Sequence, residues 1–213
     1  MDSISSRLSR AFKSKRLIYR ALEDNEQDQK ALYDAIQSDP INMGLSCPVL
    51  FTPRSRKECV AETGVLATKM MLSVMICLPA SSTNGDTNGD SEAPGDPVPI
   101  GYLALTKAPD VLVQCRESEL IIQLGNKYQN EGYGKEAVEW AIDWAFRFGN
   151  LHRVGIQVVM FNERAYAVYK KVGFVEEGRK REVIWFDGGW WDLCLLGVLR
   201  REWEAREAVA ALG

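Results

Sequence analysis

The chain has 213 residues, 46% hydrophobic and 26% charged, the balance of an ordinary folded domain large enough for a substantial core. Its net charge of −3 offers no general attraction to nucleic acid, and no apolar run approaches the roughly 20 residues that span a bilayer. A single histidine and five scattered cysteines without a C-x-x-C pair give little support to a Ser-His-Asp triad or a His-based zinc site, and they fit reduced thiols in the cytoplasm.

The chain opens on a basic stretch with Arg7, Arg10, Lys13, Lys15 and Arg16 and no apolar signal-peptide core. Residues 1–14 read as a flexible solvated tail, with an organelle-targeting segment as the alternative, and residues 15–203 read as a single domain. A first strand is predicted over 16–21, where Leu17 and Tyr19 alternate with Ile18 and Arg20. The acidic run from Glu23 complements the dipole of a following helix. That helix buries Ala31, Leu32, Ala35 and Ile36, and Pro40 ends it. Residues 41–53 carry Gly44, Pro48 and Pro53 and read as irregular, before a second helix over 54–66. Met70 to Leu78 is a strand. The polar stretch 79–98 has almost no apolar side chains to offset ordering entropy and reads as a mobile hairpin insertion, since Pro99 to Thr106 is again strand-like.

Glu119 to Leu124 forms the strand before Gln129-Asn130-Glu131-Gly132-Tyr133-Gly134, and a long amphipathic helix begins near Lys135. Val138, Ala141, Ile142, Ala145 and Phe146 give that helix its apolar face; Trp140 and Trp144 widen it as core packing, and Gly149 stops it. A strand, a glycine turn and a helix start make an anion site, because the first helical N–H groups have no internal partner and glycine lets a ligand approach the main chain. Ala137 stands where a dinucleotide fingerprint needs its third glycine, and no P-loop occurs, so neither a nicotinamide dinucleotide nor ATP bound in the usual way fits. His152 reads as a structural residue at a helix–strand junction, ahead of the strand 153–159 with its alternating Val154, Ile156 and Val158. Asn162 starts a short helix that ends before Gly173. Phe174 to Phe186 and Trp190 to Leu199 form a hairpin around Asp187-Gly188-Gly189, and residues 204–213 form a helical tail. This order implies an α+β (mixed α/β) fold with one central sheet.

Two segments carry a family pattern. Gln129, Gly132 and Gly134 have the spacing of a Gln-x-x-Gly-x-Gly phosphate-binding signature, and Asn162, an alanine, Tyr169 and the pair Gly173-Phe174 follow in order. Together they resemble the GNAT superfamily of N-acetyltransferases. Leu151-His152-Arg153-Val154 and Trp190-Trp191-Asp192 are similar to the branch that includes ribosomal-protein alanine N-acetyltransferases. The resemblance is good over 99–203, loose over 15–37 and poor over 38–98.

The resemblance implies a mostly antiparallel central sheet flanked by helices, with two diverging strands that leave a notch for acetyl-CoA and need no metal. It further implies that the amides of Asn130, Glu131, Gly132, Tyr133, Gly134 and Lys135, following Gln129, hold the pyrophosphate. Ile122, Gln123 and Leu124 would run beside the pantetheine arm, which Asn162 would help to hold, and an N–H near Leu124 would stabilise the oxyanion. Tyr169, two helical turns beyond Asn162 and ordinarily protonated at neutral pH, would protonate the departing thiolate. Glu119 or Glu117, directly or through water, would take the proton of the attacking amine. Asp192 either lines the acceptor site or is a structural acid of the hairpin. The implied acceptor is a primary amine on a protein N-terminus or a small molecule, with no nucleic-acid or membrane partner and a homodimer left open. A non-catalytic acyl-CoA-binding module is the alternative.

Overall fold

The alternating apolar runs pair into one seven-stranded sheet in a computed structural model that describes residues 3–46, 50–80 and 95–210. In chain order the elements are α1 (Ser3–Leu8), β1 (Ile18–Ala21), α2 (Glu26–Leu32) with a widened π turn (Tyr33–Gln37), α3 (Pro40–Ser46), α4 (Arg56–Lys69), β2 (Met70–Leu78) and β3 (Val98–Thr106). Then follow β4 (Glu117–Leu124), α5 (Tyr133–Arg147), β5 (Arg153–Val159), α6 (Glu163–Val172), β6 (Val175–Phe186), β7 (Gly189–Leu199) and α7 (Arg200–Ala210). The strand order is β1-β2-β3-β4-β5-β7-β6, and every neighbouring pair is antiparallel except β4–β5. A parallel pair needs a crossover, and α5 supplies it. The mixed α/β architecture expected from the sequence is the one observed.

Period-two alternation sends successive side chains to opposite faces of the sheet. Leu103, Leu105, Val154 and Ile156 meet the apolar stripe of α5 on one face. Met75, Tyr102 and Ala104 meet Leu32 and Ile36 beside α2 and Leu66 of α4 on the other. Trp140 is core packing, stacked on Tyr19 with ring centroids 3.7 Å apart. Local chemistry fixes the helix starts. Asn25 Oδ1 caps α2 by accepting from the Asp28 N–H at 2.8 Å, and Ser55 and Glu58 form a reciprocal capping box on α4. Asp28, buried at 1% exposure, is neutralised by Arg20.

Several expectations need correction. Pro40 opens α3 instead of merely ending α2: the Asp39 carboxylate accepts from the Ile41 N–H at 2.9 Å, and proline is favourable at a first helical position, where its missing N–H costs nothing. Residues 40–46 are therefore helical, not irregular. The second helix continues through Gly64 to Lys69. β1 begins at Ile18, two residues later than predicted, because Arg16 is committed to α5. The later part of the basic stretch is docked: the Trp140 indole donates to the Ala11 carbonyl at 2.9 Å, and the Ser14 hydroxyl donates to Glu136 at 2.7 Å. Most of the predicted polar insertion, residues 81–94, lies outside the described residues.

Leu103 is fully buried on the interior strand β3. Leu103→Ala is expected to cost about 3 kcal/mol of stability, from lost transfer energy plus the residual cavity. A lower urea midpoint with an unchanged slope is the expected reading, and an unshifted midpoint would contradict this packing.

Candidate active site

β4 and β5 pair only over Glu117–Arg153, Ser118–Val154 and Glu119–Gly155. Beyond that point β4 stays on β3 as far as Leu124, and β5 stays on β7 as far as Val159. The two strands therefore splay, and backbone groups along their facing edges lose their ladder partners. Two adjoining cavities occupy the gap, with volumes of about 370 and 260 Å³. They share Leu45, Ile122, Gln123, Asn162, Ala165 and Tyr169.

The larger cavity ends at the glycine turn. Asn130 (φ 67°) and Gly132 (φ 80°) both take left-handed conformations, and Gly132 is the N-cap of α5 with no side-chain cap. The first N–H groups of α5 are thus left for a ligand. Gln129, Asn130, Gly132, Gly134 and Lys135 line this end, together with Arg164. Glu131 and Tyr133 do not line it: Glu131 is exposed, and the Tyr133 ring lies 4.5 Å beneath the Arg16 guanidinium. Arg16 also donates to the Glu131 carbonyl at 2.9 Å and pairs with Glu136 at 2.8 Å. Burial works against the Glu136 carboxylate, but hydrogen bonds from Ser14 and Arg16 hold its pKa below the ordinary value. A carboxylate in the first turn of α5 is thereby turned to structural use and neutralised.

The Gln129 side chain ties three elements together. Its Nε2 donates to the Leu124 carbonyl at 3.1 Å and to Asn42 Oδ1 on α3 at 2.6 Å, while its Oε1 accepts from Arg164 at 3.3 Å. Arg164 also donates to Asn130 Oδ1 at 3.0 Å. Asn162 caps α6 by accepting from the Ala165 N–H at 3.1 Å, and its Nδ2 donates to the Leu45 carbonyl at 2.9 Å. Its amide therefore holds α3 against α6 while Asn162 also lines both cavities.

Tyr169 lines both cavities, is 9% exposed and sits edge-on to Phe174. Burial pushes its phenol up to about 12, so it is a protonated donor at neutral pH. Glu119 lines the smaller cavity, and its main-chain N–H donates to the Thr106 hydroxyl at 2.9 Å. Burial raises its pKa above the ordinary value, and Arg153, 3.7 Å away, offsets this only in part. Glu117 lies farther out and pairs with Arg153. Asp192 accepts from the Glu182 N–H at 2.9 Å across the β6–β7 hairpin, the structural use of the two foreseen. His152 is exposed, and its main chain bridges the Arg116 carbonyl and the Arg200 N–H.

Sequence reasoning missed Arg16, Asn42, Leu45, Arg153 and Arg164. Arg164, two residues after Asn162 inside the second signature, and Arg153, inside Leu151-His152-Arg153-Val154, had local signals. The others reach the site through pairings between segments far apart in the chain.

The family profile described as Acetyltransferase (GNAT) domain matches residues 16–175. A spermidine N(1)-acetyltransferase of Vibrio cholerae is 28% identical over 88 residues, 41% of this chain and 51% of that protein. The [Ribosomal protein uS5]-alanine N-acetyltransferase of Escherichia coli is 29% identical over 80 residues, 38% of this chain and 41% of that protein. The chain spans about half the length of the curated relatives it matches. Both kinds of relative match over similar lengths, so the ribosomal-protein branch is not singled out. Among solved structures, spermidine N-acetyltransferase from Vibrio cholerae in complex with CoA and spermine aligns with a TM-score of 0.67 and 19% identity, over 90% of this chain and 99% of that one, a likeness of fold. With the profile covering most of its length, the chain belongs to the GNAT acetyltransferase family.

Proposed function

We propose that this protein is an acetyl-CoA-dependent N-acetyltransferase that moves an acetyl group to a primary amine by direct attack in a ternary complex. The observation that carries this reading is Tyr169, a buried phenol where two cavities meet, one ending at an uncapped helix start and the other at Glu119.

The larger cavity fits the co-substrate by its chemistry. Its turn end offers helix N–H groups beside Lys135 and Arg164, suited to a diphosphate. Its remaining walls are largely apolar, with Ile122, Leu124, Val138, Ala165 and Val168, suited to a long neutral arm. Bound acetyl-CoA would supply the activated acyl group. The residues of this chain do the rest. Asn130, Gly132, Gly134 and Lys135 grip the anionic end through main-chain amides. The free edge of β4 over Ile122 to Leu124 orients the arm as an added strand would. Asn162 acts on the arm through α3, since its amide fixes Leu45 in the cavity wall. Tyr169 delivers a proton at the leaving sulfur, and Glu119 accepts one from the attacking amine. Burial raises the Glu119 carboxylate above its ordinary value and so makes it a better base. Holding both reactants in one cleft removes much of the entropic cost of their encounter.

The acceptor is an amine on a small molecule or a protein N-terminus. Relatives named for both kinds support an amine of that breadth. Release of CoA in the presence of peptides, polyamines and aminoglycosides tests the reading. Binding of acetyl-CoA without transfer to any amine would instead fit a binding module.

Tyr169→Phe is expected to lower kcat by about 100-fold, the lower range for loss of a general acid, with CoA affinity little changed. Thiol-release kinetics together with calorimetric titration separate the two effects, and unaltered turnover would remove Tyr169 from the mechanism. In Gly132→Val the expected damage comes from the backbone. At φ 80° a β-branched residue is strained by about 1–3 kcal/mol, and its Cβ would lie 3.2 Å from the Arg16 guanidinium. Relaxation of the strained turn in the free protein has to be reversed on binding, so CoA affinity is expected to fall by about 5- to 150-fold. Ordinary affinity in a variant that is folded by circular dichroism would put the anion cradle elsewhere.

A further inference from the structure

One guanidinium and three carboxylates lie together on the sheet face opposite α5. Arg153 opens β5 and is shared among three neighbours. It pairs with Glu117 of β4 and with Glu177 of β6, its Nε donating to Glu177 Oε1 at 3.2 Å, and Glu119 Oε1 lies 3.7 Å from its Nη1. The Glu119 main chain is held separately, by the Thr106 hydroxyl of β3.

The register shows how these groups lie so close to the strands. Glu119 stands opposite Gly155, and Gly155 stands opposite Gly197 of β7. A Cβ at Gly155 would overlap the Glu119 carboxylate and come within 2.9 Å of Arg153 Nη1, and a Cβ at Gly197 would overlap the Glu177 carboxylate. Neither glycine has a positive φ, so neither backbone demands glycine. What both positions supply is the missing Cβ, a bare floor across two strands. β6 shifts register between Glu176 and Gly178, so Glu177 is the extra residue of a bulge, a device that re-aims a side chain. Two glycines and a bulge from three strands thus serve one ion cluster.

We infer that Arg153, seated on the Gly155–Gly197 floor and braced by Glu117 and Glu177, is the positioning residue that holds the Glu119 carboxylate at the smaller cavity; its catalytic meaning rests on the reading of Glu119 as the base. Arg153 restrains an otherwise mobile side chain and opposes the protonation that burial favours. Glu117 and Glu177 spend much of the same positive charge, which keeps Glu119 from becoming a fully paired, unreactive carboxylate.

The signs are opposite for the two kinds of partner, and that makes the test direct. Glutamate carboxyl carbons of the free protein are followed by ¹³C NMR through a pH titration, with Glu119 assigned by its loss in Glu119→Gln. Arg153→Gln should raise the Glu119 midpoint by about one unit, the low end of what an opposite charge a few ångströms away contributes, and Arg153→Lys should restore much of it. Glu177→Gln removes a negative charge and frees Arg153, so the midpoint should fall; this half-exposed site also serves if Arg153→Gln does not fold. A Glu119 titration indifferent to both Arg153→Gln and Glu177→Gln, or to whichever of them folds, overturns the inference. Turnover of acetyl-CoA by Glu119→Gln, with spermidine and an alanine-initiated peptide as probes, addresses the base reading separately. Full activity there refutes that reading whatever the titration shows.

Discussion

The site depends on the early end of pairing between β4 and β5. Each strand is held by its other neighbour, β4 by β3 and β5 by β7, so they part without fraying. A buried backbone N–H or C=O left without a partner costs about 1–3 kcal/mol. Along the open edge, which lines the cavities, a ligand with its own amides can take the place of the missing strand. The parallel sense of the pair puts α5 across one face, and the start of that helix is where the anion turn forms.

The turn is held from outside. Left-handed Asn130 and Gly132 make a conformation that needs support, and the support comes from the beginning of the chain. Arg16 grips the Glu131 carbonyl and Glu136 while covering Tyr133, and Trp140 anchors Ala11. These contacts occupy the side of the turn away from the cavity. They satisfy the carboxylate in the first turn of α5 without consuming the helix dipole on the ligand side.

What was legible in the sequence was local. Alternation gave the strands, helical spacing gave α5, and the glycine turn and the Asn162–Tyr169 interval declared themselves within a few residues. Pro40 misled because proline both stops one helix and starts another, and only the Asp39 carboxylate on the Ile41 N–H decides which. Asn162 was found but not its bond to the Leu45 carbonyl, 117 positions away in the segment that matched the family worst. Gly155 and Gly197 gave no signal, and Arg153, though part of the Leu151-His152-Arg153-Val154 pattern, gave no sign of its ion pairs. Their meaning exists only in the register of four strands, and glycines without positive φ have no turn signature to betray them.

The chain of side chains from Asn42 through Gln129 to Arg164 joins α3, whose Leu45 lines both cavities, to the turn that ends the larger one. The two halves of the cleft are therefore one mechanical unit. Thermodynamic reciprocity then sets a rule for it: by whatever factor occupation of the turn alters the grip of α3 on a second guest, that guest must alter the grip of the turn by the same factor.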